Sequence, residues 1–213
     1  MYRLAVLLAT LVFLPLIVSA ADAAKGEFAE GIEYERVVPA QPVEEPGKVE
    51  VLELFWYGCP HCYHLEPLLE KWRETLPKDV VFRRMPAIFT NPRWELHARA
   101  FYTAEALGVL DQIHRPLFEA LHKEQLKLAT EDELAAFFAQ HGVKEEDFKR
   151  TFNSFYVTTK VNNAKLMTRR YGIDGVPAMI VDGKYRVDGP AAGSQERMLE
   201  VVNFLIAKER GGQ

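Results

Sequence analysis

Lys48-Val49-Glu50-Val51-Leu52-Glu53-Leu54-Phe55-Trp56-Tyr57-Gly58-Cys59-Pro60-His61-Cys62 decides the fold. Residues 48–57 are β-rich and apolar on both parities, as a strand buried on both faces requires. Gly58-Cys59-Pro60 interrupts the strand, and a helical pattern follows with Leu65, Leu68, Leu69 and Trp72 on one face. Pro67 inside that helix removes the bond to the Tyr63 carbonyl and predicts a kink. Val80-Val81-Phe82 opens another short strand, ending near Met85-Pro86.

Outward from this core the period changes. From 91 to 170 the text is helical, with stripes at Trp94, Ala98, Phe101, Tyr102 and Leu107, and at Leu117, Phe118 and Leu121 after Pro116. Thr130-Glu131-Asp132-Glu133 is a capping box that turns Leu134, Phe137 and Phe138 inward, and helices are expected over 143–152 and 155–171. After Gly172 the β text returns: Val176 to Val181, Asp182-Gly183, then Lys184 to Val187 form a hairpin on a strong short-turn signal. A last amphipathic helix is expected over 194–208. The fold class is therefore α/β, a sheet whose two halves are separated by a helical insertion.

Residues 24–47 are polar and punctuated by Pro39, Pro42 and Pro46, and predict an extended arm. Before them, Tyr2-Arg3, an apolar run over 4–18 and small residues at 18–23 have the pattern of an export signal, residues 1–20, cleaved after about 20–23. The run falls short of the roughly 20 residues that span a bilayer. The chain thus predicts an exported protein in an oxidising compartment, without stable membrane insertion. The 213 residues, 48% hydrophobic and 26% charged, describe a globular chain, and a net charge of −4 argues against a nucleic-acid partner.

The only two cysteines, Cys59 and Cys62, stand one helical turn apart at the strand-to-helix elbow. That spacing fits a disulfide, and Pro60 suits the first helical turn. Cys59 as N-cap would have the amides of His61 and Cys62 pointing at its sulfur. Those donors, the helix dipole and His61 favour a thiolate. A stabilised thiolate makes the disulfide a stronger oxidant, and a deeper Cys62 suits resolution of a mixed disulfide. It also predicts a reduced form more stable than the oxidised one at pH 7. A purely structural disulfide gives only about 2 kcal/mol for so short a loop. Zinc lacks further ligands at metal spacing, and haem attachment lacks a His at Tyr63.

Glu53-Leu54-Phe55 through Cys59-Pro60-His61-Cys62-Tyr63, with Gly175-Val176-Pro177-Ala178-Met179 and Val181-Asp182-Gly183-Lys184-Tyr185, resembles the DsbA family of periplasmic thiol–disulfide oxidases. The resemblance implies a thioredoxin-like fold with an inserted all-helical domain. Its parts would be a first thioredoxin-like segment over 24–90, the helical domain over 91–165, and a second thioredoxin-like segment over 166–213. It implies Cys59 as nucleophile, Cys62 as resolving thiol, and Val176-Pro177 as a cis-proline loop facing the disulfide, where an extended substrate pairs with the Val176 backbone. It further implies donation of the disulfide to newly exported proteins with free thiols, and reoxidation by a DsbB-like, quinone-linked membrane partner in the periplasm. No cofactor and no metal is required, and a monomer is expected.

Glu53, in a mostly apolar strand, is either a solvent-facing edge carboxylate or a buried one that exchanges the Cys62 proton, with Arg83 or Arg84 as partner. Glu66 is expected to add surface charge, and His64, His97, His114, His122 and His141 to be surface or core fillers. A reductase or isomerase of the same fold, or a chaperone-like module that needs no thiols, are the alternative functions.

Overall fold

The computed structural model describes residues 28–212, and the expected export signal lies outside them. Five segments, Glu35–Arg36 (β1), Val49–Phe55 (β2), Val80–Pro86 (β3), Ala178–Val181 (β4) and Tyr185–Asp188 (β5), build one sheet in the order β1-β5-β4-β2-β3. β2 runs parallel to β3, with Glu53 opposite Arg84, and antiparallel to β4, with Glu53 opposite Met179. Every residue of β2 is buried, which is why its sequence shows no polar alternation.

The helix Pro60–Arg73 (α1) returns the chain from β2 to β3 and runs through Pro67 without ending. The insertion follows: Pro92–Ala106 (α2), Leu110–His122 (α3), Glu131–Gln140 (α4), Glu145–Phe152 (α5) and Phe155–Arg170 (α6). Asn91 caps α2, Thr130 caps α4 and Ser154 caps α6, each accepting a backbone N–H in its helix's first turn. α6 runs unbroken through residue 165, so insertion and sheet share a helix. A short turn of helix, Gly189–Ala192 (α7), precedes Gln195–Gly211 (α8), which Ser194 caps. None of these helices is long and apolar enough to cross a membrane.

Two hydrophobic clusters sandwich the sheet. Val49, Val51, Met179 and Val187 pack with Leu65, Leu69 and Trp72 of α1 and with Met198, Val202 and Leu205 of α8. Leu52, Leu54 and Ile180 pack on the opposite side with Phe101, Leu117, Phe118 and Val161 of the insertion. This is the thioredoxin-like arrangement with a helical insertion.

Two expectations are corrected. The segment before Val49 is not only an arm. Its Glu35–Arg36 pairs with β5 as the sheet's edge strand, and Phe28, Tyr34 and Val37 are buried. A strand of such length carries no period to read, so its Pro-rich surroundings dominate. Pro116 does not precede a helix but lies inside α3, which begins at Leu110.

Candidate active site

β2 hands the chain to α1 through a tight elbow. The Cys59 N–H donates to the Trp56 carbonyl at 2.9 Å, and a Cβ on Gly58 would stand 2.4 Å from the Trp56 ring, so only glycine fits while the indole lies there. Cys59 is the N-cap of α1, with extended backbone and its carbonyl accepting the Tyr63 N–H at 3.1 Å. Pro60 occupies the first helical turn.

Both thiols are free, and they differ sharply. Cys59 is 8% exposed and Cys62 fully buried. No amide closes a cap hydrogen bond on the Cys59 sulfur. Its sulfur instead lies 3.3 Å from the Val176 carbonyl oxygen, to which the protonated form donates. The Cys62 thiol, followed by the nearby amides of Cys62 and His61 and the His61 charge, lowers the Cys59 pKa to about 6 against the opposing effect of burial. Burial, with the Cys59 sulfur beside it, pushes Cys62 well above the usual thiol range. One cysteine is thus mostly thiolate at pH 7 and its partner a thiol.

Val176 and Pro177 stand across from the pair, joined by a cis peptide bond as the resemblance implied. His61 is exposed, and its carbonyl accepts the side-chain amide of Gln195 at 2.6 Å, a tether from the start of α8 that the sequence analysis did not find. A cavity of about 460 Å³ opens between these elements, lined by His61, Gly175, Val176, Pro177 and Gln195 among others.

Glu53 is fully buried, which excludes the edge-carboxylate alternative, and its Oε2 accepts from Arg84 Nε at 3.1 Å. Arg83 pairs instead with Glu44 and Glu50. Burial, then the charge of Glu66, pushes Glu53 up to about 8, with Arg84 opposing. Glu66 is not the expected surface charge. It is 6% exposed, bonded to Arg84 at 3.1 Å and to His114 at 3.3 Å. His114 is not a passive filler either, since its other nitrogen meets the Tyr57 hydroxyl at 2.8 Å. The signals were present: Glu66 stands four residues after Cys62 on the same face of α1, and His114 lies on the stripe of Leu117, Phe118 and Leu121. What the sequence lacked was the packing of α3 against α1.

The family profile of the DSBA-like thioredoxin domain matches residues 50–201. The thiol:disulfide interchange protein DsbA of Azotobacter vinelandii is 46% identical over 183 residues, covering 86% of this chain and 85% of that one. The DsbA of Pseudomonas aeruginosa is 47% identical over 184 residues, with 86% and 87% covered. A crystal structure of Pseudomonas aeruginosa DsbA superposes with a TM-score of 0.82 at 46% identity, covering 91% of this chain and 97% of that one. The DsbA oxidoreductase of Xylella fastidiosa does so with a TM-score of 0.80 at 34% identity, over 85% and 97%. With a paired cysteine elbow, a cis-proline loop opposite it and a profile match across most of its length, this chain belongs to the DSBA-like thioredoxin family and is a thiol:disulfide oxidoreductase of the DsbA kind.

Proposed function

We propose that the protein is an exported disulfide donor that works in the periplasm as an oxidase of folding proteins. The observation that carries this reading is the inequality of its thiols: Cys59 lowered to about 6 at the mouth of the site, Cys62 buried and raised. Whatever stabilises the Cys59 thiolate stabilises the reduced pair, so the disulfide form gives up its bond readily.

In the forward reaction a client thiolate attacks Cys59 Sγ. The Cys59–Cys62 bond breaks, the client–Cys59 disulfide forms, and the electron pair leaves on Cys62. That sulfur has a high proton affinity in its buried site and takes a proton, for which Glu53, held near pH 8 beside it, is the donor. A second client thiolate then attacks the client sulfur of the mixed disulfide and releases Cys59 as thiolate, a good leaving group. Two electrons pass from the client dithiol to the cysteine pair. Return to the disulfide reverses these steps at a DsbB-like, quinone-linked membrane partner. The cavity beside Val176-Pro177 supports an extended client segment that pairs with the Val176 backbone, which binds without demanding sequence. Pro60 and His61 set the helix start and add charge near the sulfur.

The test is the equilibrium of the Cys59–Cys62 pair with glutathione. A strongly oxidising constant is expected, and a thioredoxin-like one would assign the protein to reductases. The division of labour has its own check: Cys59→Ser is expected to abolish transfer, and Cys62→Ser to accumulate mixed disulfides with clients on non-reducing gels. Equal trapping by both variants would overturn the roles.

A further inference from the structure

Behind the cysteines runs a hydrogen-bonded chain that exchange at sulfur does not itself require. Tyr57 Oη meets His114 Nδ1 at 2.8 Å, His114 Nε2 meets Glu66 Oε1 at 3.3 Å, Glu66 Oε2 meets Arg84 at 3.1 Å, and Arg84 Nε meets Glu53 at 3.1 Å. Its members come from the elbow, α3, α1, β3 and β2, so packing of the insertion on α1 assembles it. All but Arg84 are buried, and the Arg84 side chain is only 11% exposed.

Donor and acceptor chemistry fixes the protons along it. An ionised Glu66 only accepts, so His114 Nε2 carries the hydrogen. Glu66 draws His114 upward and burial pushes it down, and burial prevails, leaving a neutral ring whose Nδ1 is an acceptor. Tyr57 O–H donates to that nitrogen. One tautomer satisfies both ring nitrogens, and the other does not.

Arg84 faces more than one acid. Glu53 and Glu66 share it in a buried site, and Glu70 joins at 2.7 Å from the exposed side. Two carboxylates around one guanidinium resist ionising together, so one of the buried pair takes a proton. The two are not equivalent. Glu66 has His114 as an additional donor, whereas Glu53 Oε1 has no partner among the described residues. The charged and titratable groups facing Glu53 are Tyr57 of the elbow, Cys62, Glu66 and Glu70 of α1 and Arg84 of β3, and β4 places Met179 opposite it.

We propose that Tyr57 and His114 are positioning residues of the redox site: they hold Glu66 as the carboxylate that pairs with Arg84 and thereby leave the proton on Glu53, beside Cys62. The proposal rests on the reading of Glu53 as the proton donor to Cys62, and it adds what selects that carboxyl over its neighbour. Burial raises both carboxyls, the deeper Glu53 the more, and the His114 donor brings Glu66 back down.

Two measurements on the intact protein test it. Nitrogen NMR of the unmodified protein is expected to find His114 as the neutral Nε2–H tautomer through neutral pH, and a Nδ1–H tautomer or an imidazolium would overturn the proposal. Carbon NMR of labelled glutamates is expected to find Glu53 titrating above Glu66. In His114→Leu the Glu53 value should fall by about one pH unit, a tenfold loss of proton affinity, as Glu66 rises. His114→Gln, whose amide can replace the Nε2–H donor, should restore the original order. Unmoved carboxyls in His114→Leu would reduce the chain to packing. Failure of the underlying reading looks different: Glu53→Gln would leave the pH profile of disulfide exchange unchanged while the histidine-dependent order of the carboxyls persists.

Discussion

A carboxyl buried at the centre of a largely apolar strand is a cost that the fold accepts, and Glu53 shows how the cost is met. One oxygen reaches Arg84, the other reaches no partner among the described residues, and burial pushes the group up to about 8. Because this folded value lies above the unfolded value of 4.5, the stability Glu53 contributes is full below about pH 4.5 and is lost as pH rises through about 8. Glu53→Gln removes that dependence. Denaturant unfolding of the two proteins across this window is expected to give curves that diverge, with the variant gaining relative to the parent at each step upward in pH. Parallel curves would mean an ordinary carboxyl. The variant should at the same time exchange disulfides more slowly, since Cys62 loses its proton donor. Sequence made Glu53 conspicuous as the one acid amid Leu52, Leu54 and Phe55, but not its choice of Arg84. Adjacent strand residues point to opposite faces, and which of Arg83 and Arg84 shares the Glu53 face follows from the β2–β3 register, a pairing in space.

At the scale of the element, α1 is organised around its first turn. The elbow, Pro60 and the N-cap position of Cys59 were all legible, because each follows from a local residue preference. The magnitude was not. Stability conferred by a lowered Cys59 pKa is complete above the unfolded value of about 8.5 and disappears as pH falls through about 6. At pH 7 it amounts to about 1 kcal/mol once screening at a partly open sulfur is allowed for. The disulfide offsets this with about 2 kcal/mol of unfolded-state entropy. The two effects lie within about 1 kcal/mol of each other at neutral pH, so the expected lead of the reduced protein there is read directly from denaturant unfolding of both redox forms, and a clear lead of the oxidised form would count against a strongly oxidising pair. What remains is a slope: from pH 6 to about 8.5 the reduced form should gain steadily on the oxidised one in denaturant unfolding. Above that window the unfolded Cys62 ionises while the folded one, raised by burial, stays protonated, so the gain should reverse. A reduced form that gains nothing between pH 6 and 8.5 would deny Cys59 its thiolate. His61→Pro should flatten the slope and make the pair less oxidising, by removing a charge and an amide N–H beside the sulfur.

Across the whole molecule, the sheet is held from its two ends by different means. At one end of β4, Pro177 faces the cysteines, and at the other the β4–β5 hairpin meets the N-terminal segment. The long-period features of this arrangement were readable: apolar residues on both parities of β2 announced a two-sided sheet, and the shift to helical stripes announced the insertion. The clasp at the hairpin was not, because it depends on backbone atoms far apart in sequence. Asp182 and Gly183 both take positive φ, 51° and 64°, as the Asp-Gly signal requires of a primed two-residue turn. The Gly183 carbonyl accepts the Gln41 N–H at 2.9 Å, the Lys184 carbonyl accepts the Val37 N–H at 2.8 Å, and a Cβ on Gly183 would stand 2.0 Å from the Gln41 carbonyl oxygen. Gly183→Ala therefore meets two obstacles at once, a left-handed backbone worth roughly 1–2 kcal/mol and a backbone contact that cannot yield as a side chain would. The expected result is a fall in Tm of roughly 2–8 °C. Faster hydrogen exchange at the Val37 and Gln41 amides should accompany it, because relief of the contact requires the N-terminal segment to leave the edge of the sheet. The equilibrium with glutathione should stay as it was, since Cys59 and Val176 lie beyond the opposite end of β4. A variant with unchanged exchange at those two amides would show that the segment holds its place without the hairpin, through Phe28 and Tyr34 packed on α8 and β5.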